Sequence, residues 1–146
     1  MAAGTWSAYS AAISRTVTGG IDWDGHTFVC ALFGTGYTPD LNADADLADI
    51  VAHEIGDGDY SRQTLGTATV TTSGGTTTAK WANVSFGTDV TIGAKWAGVF
   101  DDTHASDALV AVVDLNTAGT ASTAQSTTGT FQVTIDSAGV MQFRRA

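Results

Sequence analysis

A nearly continuous apolar run at residues 27–33, reading TFVCALF, constrains the fold of this chain more than any other stretch. A short run that is rich in aromatic and β-branched residues predicts a strand with both faces buried. The turn signal Asp24-Gly25 precedes this run, and a loop that ends at Pro39 follows it. We therefore expect a central buried strand around which the rest of the chain is organised.

The remaining sequence predicts short helices early in the chain and strands after them. Helical spacing of apolar residues favours short helices at residues 6–16 and 42–55. From residue 61 onward, β-branched and alternating segments predict strands at residues 64–72, 76–86, 91–100, 109–115, 130–136 and 140–144. Glycine-containing turns at residues 73–75 and 137–139 indicate two hairpins, whereas residues 116–129 carry no assignable signal.

These segments predict a mainly β protein, an antiparallel β-sandwich or barrel of about seven strands with one or two short helices. We expect one domain over residues 1–146, in which residues 1–19 form an N-terminal arm and short helix. The single cysteine, Cys30, lies in the first predicted strand and should be a small buried hydrophobe. The predicted core includes apolar residues from four strands: Phe28, Leu32, Val99, Leu109, Val112, Phe131 and Val133.

The charge balance argues against a nucleic-acid partner. The formal net charge is −9, with 6 Lys and Arg against 15 Asp and Glu, and a surface that binds phosphates needs a basic footprint. The one basic pair, Arg144-Arg145, should be solvated or contact another subunit. The chain also lacks the roughly 18–20 consecutive apolar residues of a membrane span and the pattern of a signal peptide. We expect no membrane partner and synthesis in the cytoplasm.

Acidic residues concentrate between residues 40 and 59, and calcium prefers such oxygen ligands. The segment starts like an EF-hand loop, but Leu47 occupies the glycine position and His53 the glutamate position. The histidines His26, His53 and His104 lack the close spacing of zinc ligands. We therefore expect no metal and no cofactor, and we interpret the acidic segment as a solvated surface.

The sequence contains no nucleophile elbow, phosphate-binding loop or dinucleotide motif. Catalysis by paired carboxylates from distant strands stays open as an alternative. We expect no enzyme activity.

Aromatic side chains are the best candidates for a binding surface. We predict that Trp81 and Trp96 belong to the core. We predict Trp6, Tyr9 and Tyr37 as interface residues, because aromatic anchors dominate the energy of protein interfaces. A sugar-binding platform built from these aromatics is the alternative.

Several segments together resemble a family of small structural proteins of tailed bacteriophages. They are GIDWD at residues 20–24, the strand end Ala31-Leu32, YTPD at 37–40, AKWAGVFD at 94–101, ALVAVVDL at 108–115 and the closing segment 131–143. The order agrees with the family's entry, strand, loop and hairpin segments from about Tyr9 to Phe143. The chain departs from the family at His26-Thr27-Phe28, where a more polar strand entry is usual, and at Ile135, where tryptophan is frequent.

This resemblance implies a non-enzymatic virion protein. The leading expectation is a capsid decoration or minor capsid protein on the capsid exterior, made in the host cytoplasm. Its partners would be the major capsid protein and other copies of itself, with a trimer as the first expectation. A tail or head–tail junction component is the alternative within the virion. A small carbohydrate-binding module or enzyme is the alternative from another class.

Overall fold

The computed structural model describes residues 3–145, which form a mainly β fold. In chain order the strands are β1 (Ser7–Ala8), β2 (Phe28–Phe33), β3 (Gln63–Gly66), β4 (Thr69–Ser73), β5 (Thr76–Lys80), β6 (Val84–Ser85), β7 (Val90–Ala94), β8 (Trp96–Asp101), β9 (Ala108–Asp114), β10 (Ala124–Gly129), β11 (Gln132–Val133) and β12 (Met141–Arg144). Five of them form the central antiparallel sheet, in the order β1-β9-β8-β2-β3.

The second strand is buried between its neighbours, as the apolar run predicts. All six of its side chains are buried. It pairs along its whole length with β8, with Phe28 opposite Asp101 and Phe33 opposite Trp96. The seven predicted core residues are all buried, with no more than 5% of their surface exposed. These predictions are confirmed.

Three smaller antiparallel sheets complete the sandwich: β12-β5-β4, β10-β7 and β11-β6. Trp81, directly after β5, is buried and packs on Phe28 and Trp23, with ring centroids 4.9 and 5.9 Å apart. This confirms Trp81 as a core residue, whereas Trp96 is only partly buried. The sheets do not close on one another, so the architecture is a sandwich and not a barrel.

The helices are shorter than the sequence patterns predict. The first, α1 (Ser10–Val17), begins after Tyr9 because Ser7–Ala8 pairs with β9. The second, α2 (Leu47–Ile50), begins at a capping box formed by Asp46 and Asp49, and a 3-10 turn at Val51–His53 follows. Within residues 3–145, no helix is long and apolar enough to cross a membrane.

The strand boundaries differ from the predictions in three places. The predicted strand 91–100 divides at Lys95 into β7 and β8, which belong to different sheets. Residues 116–129, which carry no clear signal, contain β10. The closing segments do not pair with each other, because β11 pairs with β6 and β12 pairs with β5. The described part of the chain therefore has twelve short strands, not about seven.

The hairpin predicted around residues 73–75 is confirmed. β4 and β5 pair from Thr69 opposite Lys80 to Ser73 opposite Thr76. Gly74 and Gly75 connect them with φ angles of 59° and 79°. A two-residue turn with both φ angles positive matches the twist of the strands, and glycine adopts it without steric cost.

Cys30 is expected to be inert toward a thiol reagent in the folded protein. The side chain is fully buried in β2, and burial raises the pKa of the thiol to about 12, which depletes the reactive thiolate. At pH 8 we expect modification to be at least about 100-fold slower than in denaturant. Absorbance from a chromogenic disulfide reagent measures both rates. Equal rates would contradict the burial of Cys30.

Candidate functional site

The N-terminal segment does not project as an arm. The Gly4 N–H donates to the Asp114 carbonyl at 2.7 Å, and Ser7–Ala8 adds a strand to the edge of β9. From Gly4 onward the segment predicted as an arm is therefore held against the central sheet, to which Ser7–Ala8 contribute a strand, and α1 follows at Ser10–Val17. Residues 1 and 2 lie outside the described part of the chain.

A groove of about 370 Å³ lies between this segment and the strands β10 and β11. Its apolar lining comes from Trp6 and from side chains of β9, β11 and adjacent residues: Val113, Leu115, Phe131 and Val133. Polar residues complete its lining: Gln125, Thr130, Gln132, Thr134 and Asp136. The groove thus combines an apolar surface with amide, hydroxyl and carboxylate groups.

Trp6 is positioned in this groove by a hydrogen bond. Its indole N–H donates to the Thr134 carbonyl at 3.3 Å, and the ring is partly exposed. A partly exposed tryptophan with a fixed orientation loses little conformational freedom when a partner covers it, which favours binding. Of the three predicted interface residues, Trp6 is the one that lines the groove.

Tyr9 and Tyr37 are in the core, which corrects their prediction as interface residues. They are 0% and 4% exposed, and their hydroxyl groups lie 2.8 Å apart. The Tyr37 hydroxyl donates to the Asp44 carboxylate at 2.8 Å. Burial raises the pKa of Tyr9 to about 12 and raises that of Tyr37 as well. Each phenol has its partner inside the fold, and long-range contacts of this kind leave no local sequence pattern.

The acidic segment between residues 40 and 59 makes contacts within the fold. Asp49 accepts hydrogen bonds from the Ala45 and Asp46 N–H groups, which lowers the pKa of its carboxyl. Asp57 and Asp59 accept from backbone N–H groups of β7 at 2.9 and 2.8 Å. These carboxylates therefore satisfy backbone donors, a role more specific than the solvated surface expected from the sequence.

The part of the chain between residues 3 and 145 contains no group of three or more His, Cys, Asp and Glu placed to hold a metal ion. The absence of a metal or cofactor stays a prediction. His26 instead contacts the buried Asp101 carboxylate at 2.6 Å, and this carboxylate also accepts from the Thr103 N–H at 3.0 Å.

A serine and a histidine of the loop between β8 and β9 meet an aspartate at the start of α2. The Ser106 hydroxyl lies 3.0 Å from His104 Nδ1 and 2.6 Å from the Asp46 carboxylate. The Ser106 N–H also points at His104 Nδ1, at 3.3 Å. In a catalytic pair the serine hydroxyl would donate its proton to the histidine. Here the Ser106 hydroxyl donates to Asp46, and the Ser106 N–H already contacts His104 Nδ1. We therefore interpret this loop as a turn-closing network.

The polar groove residues were not predicted as a site. Gln125 lies in the segment without a clear signal. Gln132 and Asp136 alternate with the apolar residues of segment 131–136. The sequence pattern therefore places them on the face opposite those apolar side chains. Their proximity to Trp6 depends on the contact of the N-terminal segment with β9, which no local pattern indicates.

No protein-family model, no curated protein and no solved structure matches this chain.

Proposed function

We propose that this chain is a non-enzymatic structural protein of a tailed-bacteriophage virion. In this proposal it decorates the capsid, binds the major capsid protein from outside and stabilises the lattice as a homo-oligomer. The resemblance of its ordered segments to the phage family supports the class. Three of the six segments coincide with buried strands, since β2, β8 and β9 contain or overlap them.

The observation that carries the proposal is the partly exposed Trp6 in a groove with apolar and polar lining. Interfaces obtain most of their binding energy from a few aromatic anchors surrounded by contacts that exclude water. The groove lies beside the strands of the sandwich, so a bound partner segment would contact a rigid body. Its volume and its mixed apolar and polar lining suit a short protein segment.

Capsid stabilisation follows from adhesion of this kind. A packaged genome pushes the capsid subunits apart, and an external protein resists by adding buried area between them. Each contact needs only a standard size, roughly 800 Å² per partner. Contacts on linked copies reinforce one another, because the second binding event becomes intramolecular.

Replacing Trp6 by alanine is expected to weaken binding to capsids about 30-fold, the effect of losing roughly 2 kcal/mol at an interface anchor. The assay is a binding titration on capsids assembled without this protein. Val17→Ser is the matched control, since Val17 is 76% exposed on α1 and does not line the groove. Equal affinities for the Trp6→Ala variant and the unchanged protein would remove the groove from the proposal.

Quantitative protein stoichiometry of purified particles tests the place in the virion. A decoration protein should be present in hundreds of copies per particle. A tail or head–tail junction component should be present in a handful, which would favour that alternative. Absence from the particle would overturn the proposed function.

A carbohydrate-binding module is the second candidate, because Trp6 lies near Gln125, Gln132 and Asp136 in the groove. An aromatic face with nearby amides and a carboxylate is suited to stacking on a sugar ring and binding its hydroxyls. Binding of the isolated protein to a glycan array, lost in the Trp6→Ala variant, would favour this function over capsid adhesion.

A further inference from the structure

The cationic side chains fall into two groups. Three of the six form internal ion pairs: Arg15 with Asp46 at 2.8 Å, Arg62 with Glu54 at 2.7 Å and Lys95 with Asp114 at 2.8 Å. The other three are Lys80, Arg144 and Arg145, and none has an acidic partner among residues 3–145. Their charges are available to a binding partner.

These three cations lie on or next to one sheet, β12-β5-β4, which contains no acidic residue. The rest of the chain carries all 15 acidic residues and only three cations, a formal charge of −12. Three acidic residues pair with Arg15, Arg62 and Lys95 within the described chain, which leaves twelve without a Lys or Arg partner there. The molecule therefore has one basic face on an otherwise acidic surface.

The outer face of this sheet is polar throughout. Lys80 lies opposite Thr69, and Arg144 lies opposite Thr76, so both cations share one face with a row of hydroxyl groups. The Thr71 and Thr78 hydroxyls of this row are 2.9 Å apart. Arg145 follows directly at the end of β12, beside the hairpin turn, where its backbone N–H donates to the Gly75 carbonyl at 3.0 Å. Alternation along the strand places its side chain on the other side from Arg144, so Lys80 and Arg144 are the two cations of the outer face.

The edge strand β4 is exposed to solvent on both of its faces. All five of its residues are exposed, including Val70 at 41%, so neither face of this strand is buried. It carries no charge and no proline, the devices that usually protect an edge strand from pairing. A hairpin strand that buries so little apolar surface adds little stability to its own chain.

We infer that the outer face of the sheet β12-β5-β4 is the contact surface for a second copy of this chain, docked through its acidic surface. The second copy is favoured because the chain itself supplies the complementary charge, and local complementarity guides association. Basic-to-acidic contact joins different surfaces of the two copies, an arrangement that generates rings when the rotation closes. The inference deepens the proposed function by naming the surface of self-association.

The first test measures the mass of the assembly in 0.15 M salt by sedimentation. The unchanged protein should sediment as a multiple of 14.9 kDa. The variant Lys80→Gln, Arg144→Gln, Arg145→Gln should sediment as the monomer. The charge-conserving control Lys80→Arg, Arg144→Lys, Arg145→Lys should keep the assembly. A monomeric unchanged protein, or a neutralised variant with an unchanged mass, would overturn the inference.

The second test identifies the partner of Lys80 by zero-length carbodiimide crosslinking. The chain has two lysines, and Lys95 is only 2% exposed, so Lys80 is the accessible lysine. A mixture of isotope-labelled and unlabelled protein should give amide links from Lys80 to Asp or Glu of another copy. Links within one copy only, or links to capsid protein in whole particles without any between copies, would overturn the inference.

The outcomes separate this inference from the proposed function. A monomer that still decorates particles would overturn the self-contact and leave decoration standing. An assembly through Lys80 that is absent from particles would overturn decoration and leave the self-contact standing. Retention of DNA by the unchanged protein and not by the neutralised variant, without self-association, would assign the basic face to phosphate binding instead.

Discussion

Replacing Lys95 by methionine is expected to lower the free energy of unfolding by about 3–5 kcal/mol, because it removes one member of a buried ion pair. Lys95 is 2% exposed, and its ammonium group lies 2.8 Å from the Asp114 carboxylate. It also donates to the carbonyls of Asn116 and Gly119, at 2.6 and 2.8 Å. The methionine removes the ammonium group from all three acceptors, although the Asp114 carboxylate keeps the Asn116 N–H at 3.0 Å and the Gly119 carbonyl keeps the Ser122 N–H at 3.1 Å.

The size of this effect follows from the position of Lys95 in the chain. It separates β7 from β8, so the backbone changes sheets at this residue. Its side chain holds the loop after β9, where Asn116 and Gly119 lie. Asp114 keeps 23% of its side chain exposed, which moderates the cost of losing its partner. We therefore expect the lower part of the range.

Lys80→Met is the matched control, because it makes the same substitution at the other lysine of the chain. Lys80 has no acidic partner among the described residues, and surface substitutions usually change stability by no more than about 0.5 kcal/mol. Denaturant unfolding gives both values, at a protein concentration at which sedimentation shows the monomer, so that the inferred self-contact through Lys80 does not contribute. Similar losses for the two variants would show that the network around Lys95 does not stabilise the fold.

The strands predicted best from the sequence are those whose apolar character is continuous. β2 and β9 are buried along nearly their whole length, and a run of apolar residues predicts that burial without knowledge of the neighbours. The hairpin of β4 and β5 was equally predictable, since Gly74-Gly75 specifies the turn locally. In these cases the information lies within a few consecutive residues.

The predictions were wrong where the outcome depends on a distant partner. Lys95 lies inside a segment that alternates like a single strand, yet the Phe33 carbonyl accepts its N–H at 2.9 Å and the chain changes sheets there. Tyr9 has the composition of a surface anchor, but the Tyr37 hydroxyl provides a buried partner 28 residues away. Residues 7 and 8 form a strand because β9 offers a free edge. None of these contacts leaves a local pattern.

A chain that lacks residues 1–9 is expected to lose most of its stability, with a fall in melting temperature of more than about 15 °C. The deletion removes the β1 pairing with β9 and the hydrogen bond from Gly4 to Asp114. It also removes Tyr9, a fully buried side chain whose carbonyl accepts the first hydrogen bonds of α1. Truncation of a large buried aromatic alone costs about 3–5 kcal/mol, a large part of a total of about 5–15 kcal/mol.

A shorter deletion, of residues 1–3, is the control for this prediction. It keeps Gly4, Trp6 and Tyr9, so we expect a cooperative transition within a few degrees of the unchanged protein. Circular dichroism during heating measures all three chains. If the chain without residues 1–9 melted like the complete one, the N-terminal segment would be a dispensable arm after all. If it unfolds as expected, its failure to bind capsids says nothing about Trp6, and the side-chain replacement in the intact fold is the informative test of the groove.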